Sequence, residues 1–274
     1  MPELPEAETI ARDLAKRIRG AVVRTVSVHR PDILAPGSPA SRLRRVLSGR
    51  TIEAVGRRGK NVVIEFAGGF RLVINLGMTG RVVASDSPRS LELAHVAARI
   101  HLEDGRALLY DDARRFGQLD LRDASAWERR SAELGVEPLS DDFTPDRLHE
   151  LTRSSTSPIR NWLLDQRRLA GVGNIYANEA LFLAGIRPTR RTRTLSRRQV
   201  NALHSSLRAV LEQAVTMRGT TFSDYRDADG NEGTFQSRLR VYDRAGLPCT
   251  VCSTPIKRIV LSNRSAFYCP TCQR

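Results

Sequence analysis

The sequence has no long apolar run, and lysine is almost absent from it. A transmembrane helix needs roughly 18 to 20 consecutive apolar residues, and no stretch of the 274 residues approaches that length. The N-terminus has acidic side chains where a secretory signal peptide would have an apolar segment. We therefore expect no membrane association and a cytoplasmic location.

Only three of the 44 basic residues are lysines, namely Lys16, Lys60 and Lys257. A genome biased toward arginine codons accounts for this count. A lysine that persists under such a bias is a candidate for a role that arginine cannot fill.

Acidic residues are scarce in the second half of the chain. Residues 1–146 contain 23 basic and 21 acidic side chains, whereas residues 147–274 contain 21 basic and 9 acidic ones. A basic segment next to a nearly neutral one predicts a polyanion-binding module attached to another domain. The alternative is a solvated surface in a protein that is simply basic.

Cysteine is confined to the last 26 residues, as Cys249, Cys252, Cys269 and Cys272. Two C-x2-C pairs in a chain without a secretion signal predict one tetrahedral zinc ion with four thiolate ligands. Because so short a module has almost no core, zinc binding should supply most of its folding free energy.

The first half has the pattern of one helix followed by many short strands. Ile10, Leu14 and Ile18 recur every four positions and predict a helix over residues 5–19. Beyond residue 20 the apolar period is two, with turns at Gly68-Gly69 and Asp104-Gly105, which indicates an antiparallel sandwich or barrel up to about residue 125. The predicted strands are 22–28, 61–66, 70–75, 81–84, 96–102 and 107–110.

The second half has a helical pattern after a polar boundary at 137–145. We predict helices that begin at Pro158, at Ile175 and at Ser196, the last with a capping box to Gln199. Residues 219–237 form a loop that is long enough to be functional.

The opening MPELPE offers a candidate nucleophile. If Met1 is removed, Pro2 has a secondary amine, and an α-amino group with a pKa of about 7.7 to 8 is neutral in roughly a tenth of molecules at pH 7. Such an amine can attack a sugar C1′ and form an iminium intermediate, with Glu3 placed to transfer protons. The alternative is an ordinary helix start, where Pro and Glu are common.

Two further segments have weaker signals when taken alone. Gly171-Val172-Gly173-Asn174 can bring backbone amides to a phosphate at a helix N-terminus, or can be an ordinary interhelical turn. Arg114 and Phe116 can fill the space left by a base that has left the stack, or can be surface charge and core, and Met78 can equally belong to the core.

Taken together, these segments resemble the bacterial formamidopyrimidine-DNA glycosylases and endonuclease VIII enzymes. The resemblance spans the whole chain, and its motifs occur in the family's order. They are MPELPE at the start, GRRGK at 56–60, LGMTG at 76–80, ARRFG at 113–117, AGVGNIYANEALF at 170–182 and NRSAFYC at 263–269.

The resemblance implies an α+β multidomain fold in three parts. An N-terminal antiparallel β-sandwich with an N-terminal helix would occupy residues 1–136 and hold the catalytic residues. A helix–two-turn–helix DNA-binding domain with the lesion loop would occupy residues 137–238. A C-terminal zinc ribbon with four cysteine ligands would occupy residues 239–274.

The resemblance also implies roles for individual residues. Pro2 would be the Schiff-base nucleophile, Glu3 the proton donor, Lys60 the donor in β-elimination and Arg264 the group that serves δ-elimination. Glu6 would orient the sugar. The implied DNA contacts are Met78, Arg114 and Phe116 at the vacated base position and Arg160, Asn174 and Tyr242 at phosphates.

Four positions depart from the family pattern. Asn75 and Leu93 stand where histidine is frequent, Ala113 where proline is common, and Arg160 where lysine is usual. The Leu93 change could weaken one DNA contact, whereas Arg160 should preserve phosphate binding.

The implied activity is excision of oxidised purines from double-stranded DNA followed by β,δ-elimination, with one structural Zn²⁺ and no other cofactor. We expect a monomer. One alternative is an endonuclease VIII-type enzyme for oxidised pyrimidines. Leu4, in place of that branch's glycine, disfavours it, as does the set Met78, Arg114 and Phe116. The other is a zinc protein that binds damaged DNA without chemistry.

Overall fold

The computed structural model describes residues 2–86, 93–222, 225–228 and 230–274. Contacts divide the chain into two compact units: the first extends to Glu133 and includes Met217–Thr234, and the second comprises Leu134–Thr216 and Phe235–Arg274. Of the predicted loop 219–237, residues 223, 224 and 229 lie outside the described residues. The division at 136 and 238 stays a prediction.

The first unit contains the predicted β-sandwich of two antiparallel four-stranded sheets, with strand orders β1-β6-β7-β5 and β2-β3-β4-β8. The predicted hairpin turns are confirmed, because Phe66 pairs with Phe70 and His101 with Ala107 across them. The strands are β1 Val23–Val28, β2 Ile52–Arg58, β3 Asn61–Phe66, β4 Phe70–Asn75, β5 Arg81–Ser85, β6 Val96–Leu102, β7 Ala107–Asp111 and β8 Gln118–Arg122.

Helix α1, Leu4–Ile18, packs its predicted apolar stripe into the core of this unit. Ile10, Leu14 and Ile18 are at most 1% exposed, so the four-residue period corresponds to burial along one face. Two shorter helices complete the unit, α2 at Ala40–Leu47 and α3 at Ala124–Ala132.

The second unit is helical and ends in a hairpin. Its helices are α4 Pro145–Arg153, α5 Ile159–Leu164, α6 Asn174–Leu183 and α7 Arg197–Thr216. The predicted capping box of α7 is present, since the Ser196 amide donates to Gln199 Oε1 and the Gln199 amide donates to Ser196 Oγ. The hairpin of β9, Lys257–Leu261, and β10, Arg264–Tyr268, contacts α6.

In the described ranges, no helix combines the length and the apolar character needed to cross a bilayer.

Candidate functional site

The N-terminal residues are fixed by a reciprocal capping box. The backbone amide of Glu3 donates to Glu6 Oε2 at 2.7 Å, and the Glu3 carboxylate accepts from the Glu6 amide. Both glutamates are at most 2% exposed, and Pro2 is buried. The start of α1 therefore has a defined backbone position immediately after the candidate nucleophile.

The same Glu6 carboxylate also holds the loop that was predicted to be functional. Its second oxygen, Oε1, accepts from the Thr220 amide at 2.8 Å. A Cβ atom on Gly219 would lie 2.8 Å from that oxygen, and its φ of +84° also favours glycine. Glu6 therefore links the candidate nucleophile's neighbour to loop residues 219 and 220.

An ion triad fixes the base of this loop to α1. Arg218 donates to Asp227 at 2.7 Å through Nε and to Asp13 at 2.5 Å through Nη2. Both carboxylates are nearly inaccessible, at 0% and 7% exposure. Tyr225 is packed into the core of the unit, where burial and the charge of Glu6 raise its pKa.

Lys60 lies half-buried in the turn between β2 and β3. Arg57 holds this turn, because it donates to the Gly59 carbonyl at 2.9 Å and to Glu8 of α1 at 2.9 Å. Burial raises the pKa of Glu8, but the charge and hydrogen bonds of Arg57 outweigh it and leave the pKa lowered. The turn is thereby connected to the helix that begins beside Pro2.

Three exposed side chains form a second surface on the first unit. Met78 is 39% exposed and Phe116 is 60% exposed. The Arg114 guanidinium lies 4.8 Å from the centre of the Phe116 ring. Large apolar side chains that remain exposed side by side are candidates for contact with another molecule.

In the second unit Arg160 joins the GVGN loop to the hairpin. Its guanidinium donates to the carbonyls of Leu261 and Ser265 at 3.1 and 3.0 Å, and to Asn174 Oδ1 at 2.7 Å. The residue is 0% exposed, and burial together with the charge of Arg264 lowers its pKa to about 10. Arg160 is therefore a buried, charged side chain at neutral pH that connects the GVGN loop to the hairpin. Its phosphate contact stays a prediction.

Arg264 stands exposed at the first position of β10, after a tight turn in which Ser262 and Asn263 both have positive φ. Asn174, at the start of α6, donates to the Ser265 carbonyl at 3.0 Å. Arg264 is thus presented by a hairpin that the GVGN loop supports.

Tyr242 is positioned by a carboxylate that the sequence reasoning did not single out. Glu179, 2% exposed, accepts from the amides of Arg240, Val241 and Tyr242 at 2.8 to 3.0 Å. Burial raises its pKa despite these bonds. The Tyr242 ring packs edge-on against Phe267 of the hairpin at 5.3 Å.

The four cysteines have the geometry of a zinc site. Their Sγ atoms all lie within 4.8 Å of one another, and three of the pairs are 3.4 to 3.9 Å apart. Tetrahedral zinc with Zn–S bonds of about 2.3 Å requires sulfur atoms roughly 3.8 Å apart. Cys249, Cys252, Cys269 and Cys272 therefore fit one structural Zn²⁺.

The sequence contained a signal for the missed residues of α6. Asn178 and Glu179 are polar, yet they lie in a helix whose other residues between 175 and 182 are buried and apolar. Asn178 accepts from the Phe267 amide at 2.8 Å and donates to Asn174. A polar pair within a buried helix must find partners, which indicates a structural network.

Family models match most of the chain. The N-terminal domain of formamidopyrimidine-DNA glycosylase matches residues 1–119, and the H2TH domain of the same enzyme matches residues 134–226. A zinc finger found in FPG and IleRS matches residues 246–274.

Complete relatives and solved structures agree with these matches. The formamidopyrimidine-DNA glycosylases of Chloroflexus aggregans and Hahella chejuensis are 44% and 43% identical to the chain, over all of it and 98% and 100% of their own lengths. A complex of a Lactococcus lactis FPG mutant with Fapy-dG containing DNA has a TM-score of 0.91 at 32% identity, with full coverage of both chains. The MutM (FPG) protein of Thermus thermophilus has a TM-score of 0.87 at 40% identity, over 99% of this chain and 98% of that one. The chain therefore belongs to the formamidopyrimidine-DNA glycosylase family.

Proposed function

We propose that the chain is a bifunctional DNA glycosylase and AP lyase of base excision repair. It removes oxidised purines, namely 8-oxoguanine and formamidopyrimidines, from double-stranded DNA and also cuts abasic sites. It acts in the cytoplasm as a monomer.

The observation that supports this proposal most strongly is the fixed start of α1. Once Met1 is removed, the amine of Pro2 precedes a capping box whose two carboxylates are buried. A nucleophile that is oriented before substrate arrives needs less ordering in the transition state. Buried acids beside it are suited to proton transfer because their surroundings exclude bulk water.

The reaction follows from these groups. The Pro2 nitrogen bonds to C1′ while the bond from C1′ to the base breaks, and the departing base takes a proton from Glu3. The attacking nitrogen then loses its proton, and the ring oxygen O4′ takes a proton as the C1′–O4′ bond breaks. The resulting iminium ion makes the C2′ proton acidic. Loss of that proton expels the 3′ phosphate, and a second elimination expels the 5′ phosphate.

Other residues assist these steps. Glu6 orients the sugar, and Lys60 and Arg264 serve the first and second eliminations and bind the adjacent phosphates. Four thiolates would fill the coordination sphere of the zinc, so the zinc is structural and takes no part in the chemistry. It stabilises the hairpin that holds Arg264. Asn174, Tyr242 and Arg160 bind phosphate, and Arg160 also supports Asn174 by donating to its Oδ1.

Relatives support the substrate class. Lactococcus lactis Fpg has been crystallised with Fapy-dG containing DNA and with abasic site containing DNA. A further complex contains an oxidised pyrimidine, which makes the endonuclease VIII-type preference the relevant second candidate.

Excision assays test the proposal. Duplexes with 8-oxoguanine opposite cytosine should be cut to a one-nucleotide gap with phosphate at both ends, and borohydride should trap a covalent protein–DNA adduct. A clear preference for thymine glycol would instead establish the pyrimidine enzyme. Failure to trap an adduct with both lesion-containing and abasic duplexes would establish a binding protein without chemistry.

A further inference from the structure

A single buried carboxylate, Asp112, lies beneath the exposed surface formed by Met78, Arg114 and Phe116. It is 1% exposed and follows the last residue of β7. Its Oδ1 accepts from Thr79 Oγ1 at 2.5 Å, and its Oδ2 accepts from the Gly117 amide at 2.8 Å.

A third donor to this carboxylate comes from the strand itself. The Tyr110 hydroxyl donates to Asp112 Oδ2 at 3.1 Å. Burial and the charge of Asp112 raise the pKa of Tyr110, so the phenol keeps its proton and remains a donor at any physiological pH.

The first two donors belong to different segments. Thr79 directly follows Met78, and Gly117 directly follows Phe116. The Thr79 hydroxyl also accepts from the Arg114 amide at 3.1 Å. One carboxylate therefore ties together the two segments that present the three exposed side chains.

Close backbone packing makes this tie specific. A Cβ atom on Gly77 would lie 2.5 Å from the Gly117 nitrogen, and one on Gly117 would lie 1.7 Å from the Tyr110 hydroxyl oxygen. A side chain at Gly77 would displace residues 116 and 117, and one at Gly117 would displace the Tyr110 hydroxyl that donates to Asp112. Arg115, which lies between Arg114 and Phe116 in the chain, has a φ of +56° and forms an ion pair with Asp32 at 3.0 Å.

We propose that Asp112 is a positioning residue that holds Met78, Arg114 and Phe116 as one rigid wedge for the opposite strand of the duplex. The inference rests on the proposed function. Side chains that replace a flipped base must resist restacking of the duplex, and loops that are already ordered avoid the entropic cost of ordering on binding. Asp112 contacts no DNA and acts through Thr79 and Gly117.

Single-stranded abasic DNA separates this role from a general effect on folding. It has no opposite strand to hold apart, so cleavage there needs Pro2, Lys60 and Arg264 but not the wedge. We would compare Asp112→Asn and Thr79→Val on duplexes with 8-oxoguanine opposite cytosine and on single-stranded abasic oligonucleotides. The matched control is Asp111→Asn, because Asp111 is 0% exposed and holds Arg81 and the His95 amide instead.

Both variants should lower duplex excision at least about tenfold, equivalent to about 1.4 kcal/mol, and change single-stranded cleavage less than about twofold. Asp111→Asn should leave the ratio of the two rates unchanged. Equal losses on both substrates, or an unchanged duplex rate, would overturn the role of Asp112. Absence of any covalent trapping by the wild-type protein would instead overturn the proposed function.

Discussion

The two units of the molecule differ in the buried groups that fix their functional residues. In the first unit, buried carboxylates accept from backbone amides: Glu6 holds the Glu3 and Thr220 amides, and Asp112 holds the Gly117 amide. In the second unit one buried carboxylate, Glu179, also accepts from backbone amides, but a buried cation, Arg160, donates to backbone carbonyls and four thiolates surround a zinc site.

This difference matches the proposed division of labour. Attack of a neutral amine on a sugar needs carboxylic acids within hydrogen-bond reach that can exchange protons. Phosphates need cations, and residues 147–274 have a formal excess of 12 basic over acidic side chains. Catalysis and DNA binding should therefore be separable by mutation.

Replacing Pro2 should remove catalysis but preserve DNA binding. Pro2→Gly should lower excision and borohydride trapping at least about a hundredfold, since it takes away the ring that orients the nucleophile. Binding to an abasic-analogue duplex should be preserved. If about five phosphates are contacted, log affinity falls with log salt at a slope of about −4 to −5 for both proteins. Full trapping by the variant would contradict the nucleophile assignment.

Loss of the zinc site should abolish DNA binding while the first unit stays folded. Structural zinc contributes roughly 10 to 16 kcal/mol to the folding of small zinc modules, so Cys269→Ser should unfold the ribbon and displace Arg264. Fluorescence anisotropy should show loss of DNA affinity, and cutting should be abolished. Full cutting after zinc removal verified by metal analysis would refute the dependence.

Loss of the Arg160 hydrogen bonds should lower the stability of the second unit. Arg160→Met removes the hydrogen bonds to the Leu261 and Ser265 carbonyls and to Asn174 Oδ1, and should cost about 1 to 3 kcal/mol of stability. Arg160→Lys, with fewer donors, should recover part of it. Chemical denaturation measures the stability and anisotropy the affinity. Equal stability of the wild type and Arg160→Met would show that the tie is unimportant.

The fourth and smallest effect concerns the Glu8–Arg57 pair beside Lys60. Because the folded-state pKa of Glu8 is lowered, its contribution to stability is present above its ordinary pKa of 4.5 and is lost as pH falls through the folded value. Thermal melts should therefore show Glu8→Gln less stable than wild type at pH 7. The difference should shrink at pH 4, where zinc loss affects both proteins alike. A constant difference would contradict the ion pair.

Much of the fold could be predicted from periodicity. The helix before the sandwich, six strands and the cap of the long helix α7 are confirmed because each has a strong apolar period or a capping pattern. Strand β2, Ile52–Arg58, was not predicted, because only its first residue is buried and its burial shows no alternation. Strand β8, Gln118–Arg122, is only five residues long and follows an irregular loop.

Helices α2, α3 and α4 were also not predicted. α3 has no fully buried residue, and α2 and α4 each bury only two. Their apolar stripes are too narrow for a periodicity argument, and tertiary contacts select them instead.

The site was predictable to the extent that its residues stand in short motifs. Partners that meet only through folding were not: Asp13 and Arg218 are 205 positions apart, and Glu6 and Thr220 are 214 apart. Asp112 meets Thr79 and Gly117 only through folding as well, whereas Glu179 was marked in the sequence only by its polarity within an apolar helix. Sequence therefore identified the groups proposed for chemistry, and the structure identified the groups that hold them.

Peptide mapping of the borohydride-trapped adduct by mass spectrometry tests the central claim most directly. We expect the reduced sugar to be attached to the nitrogen of Pro2 in a peptide that lacks Met1. Attachment to Lys60, or an active protein that retains Met1, would contradict it.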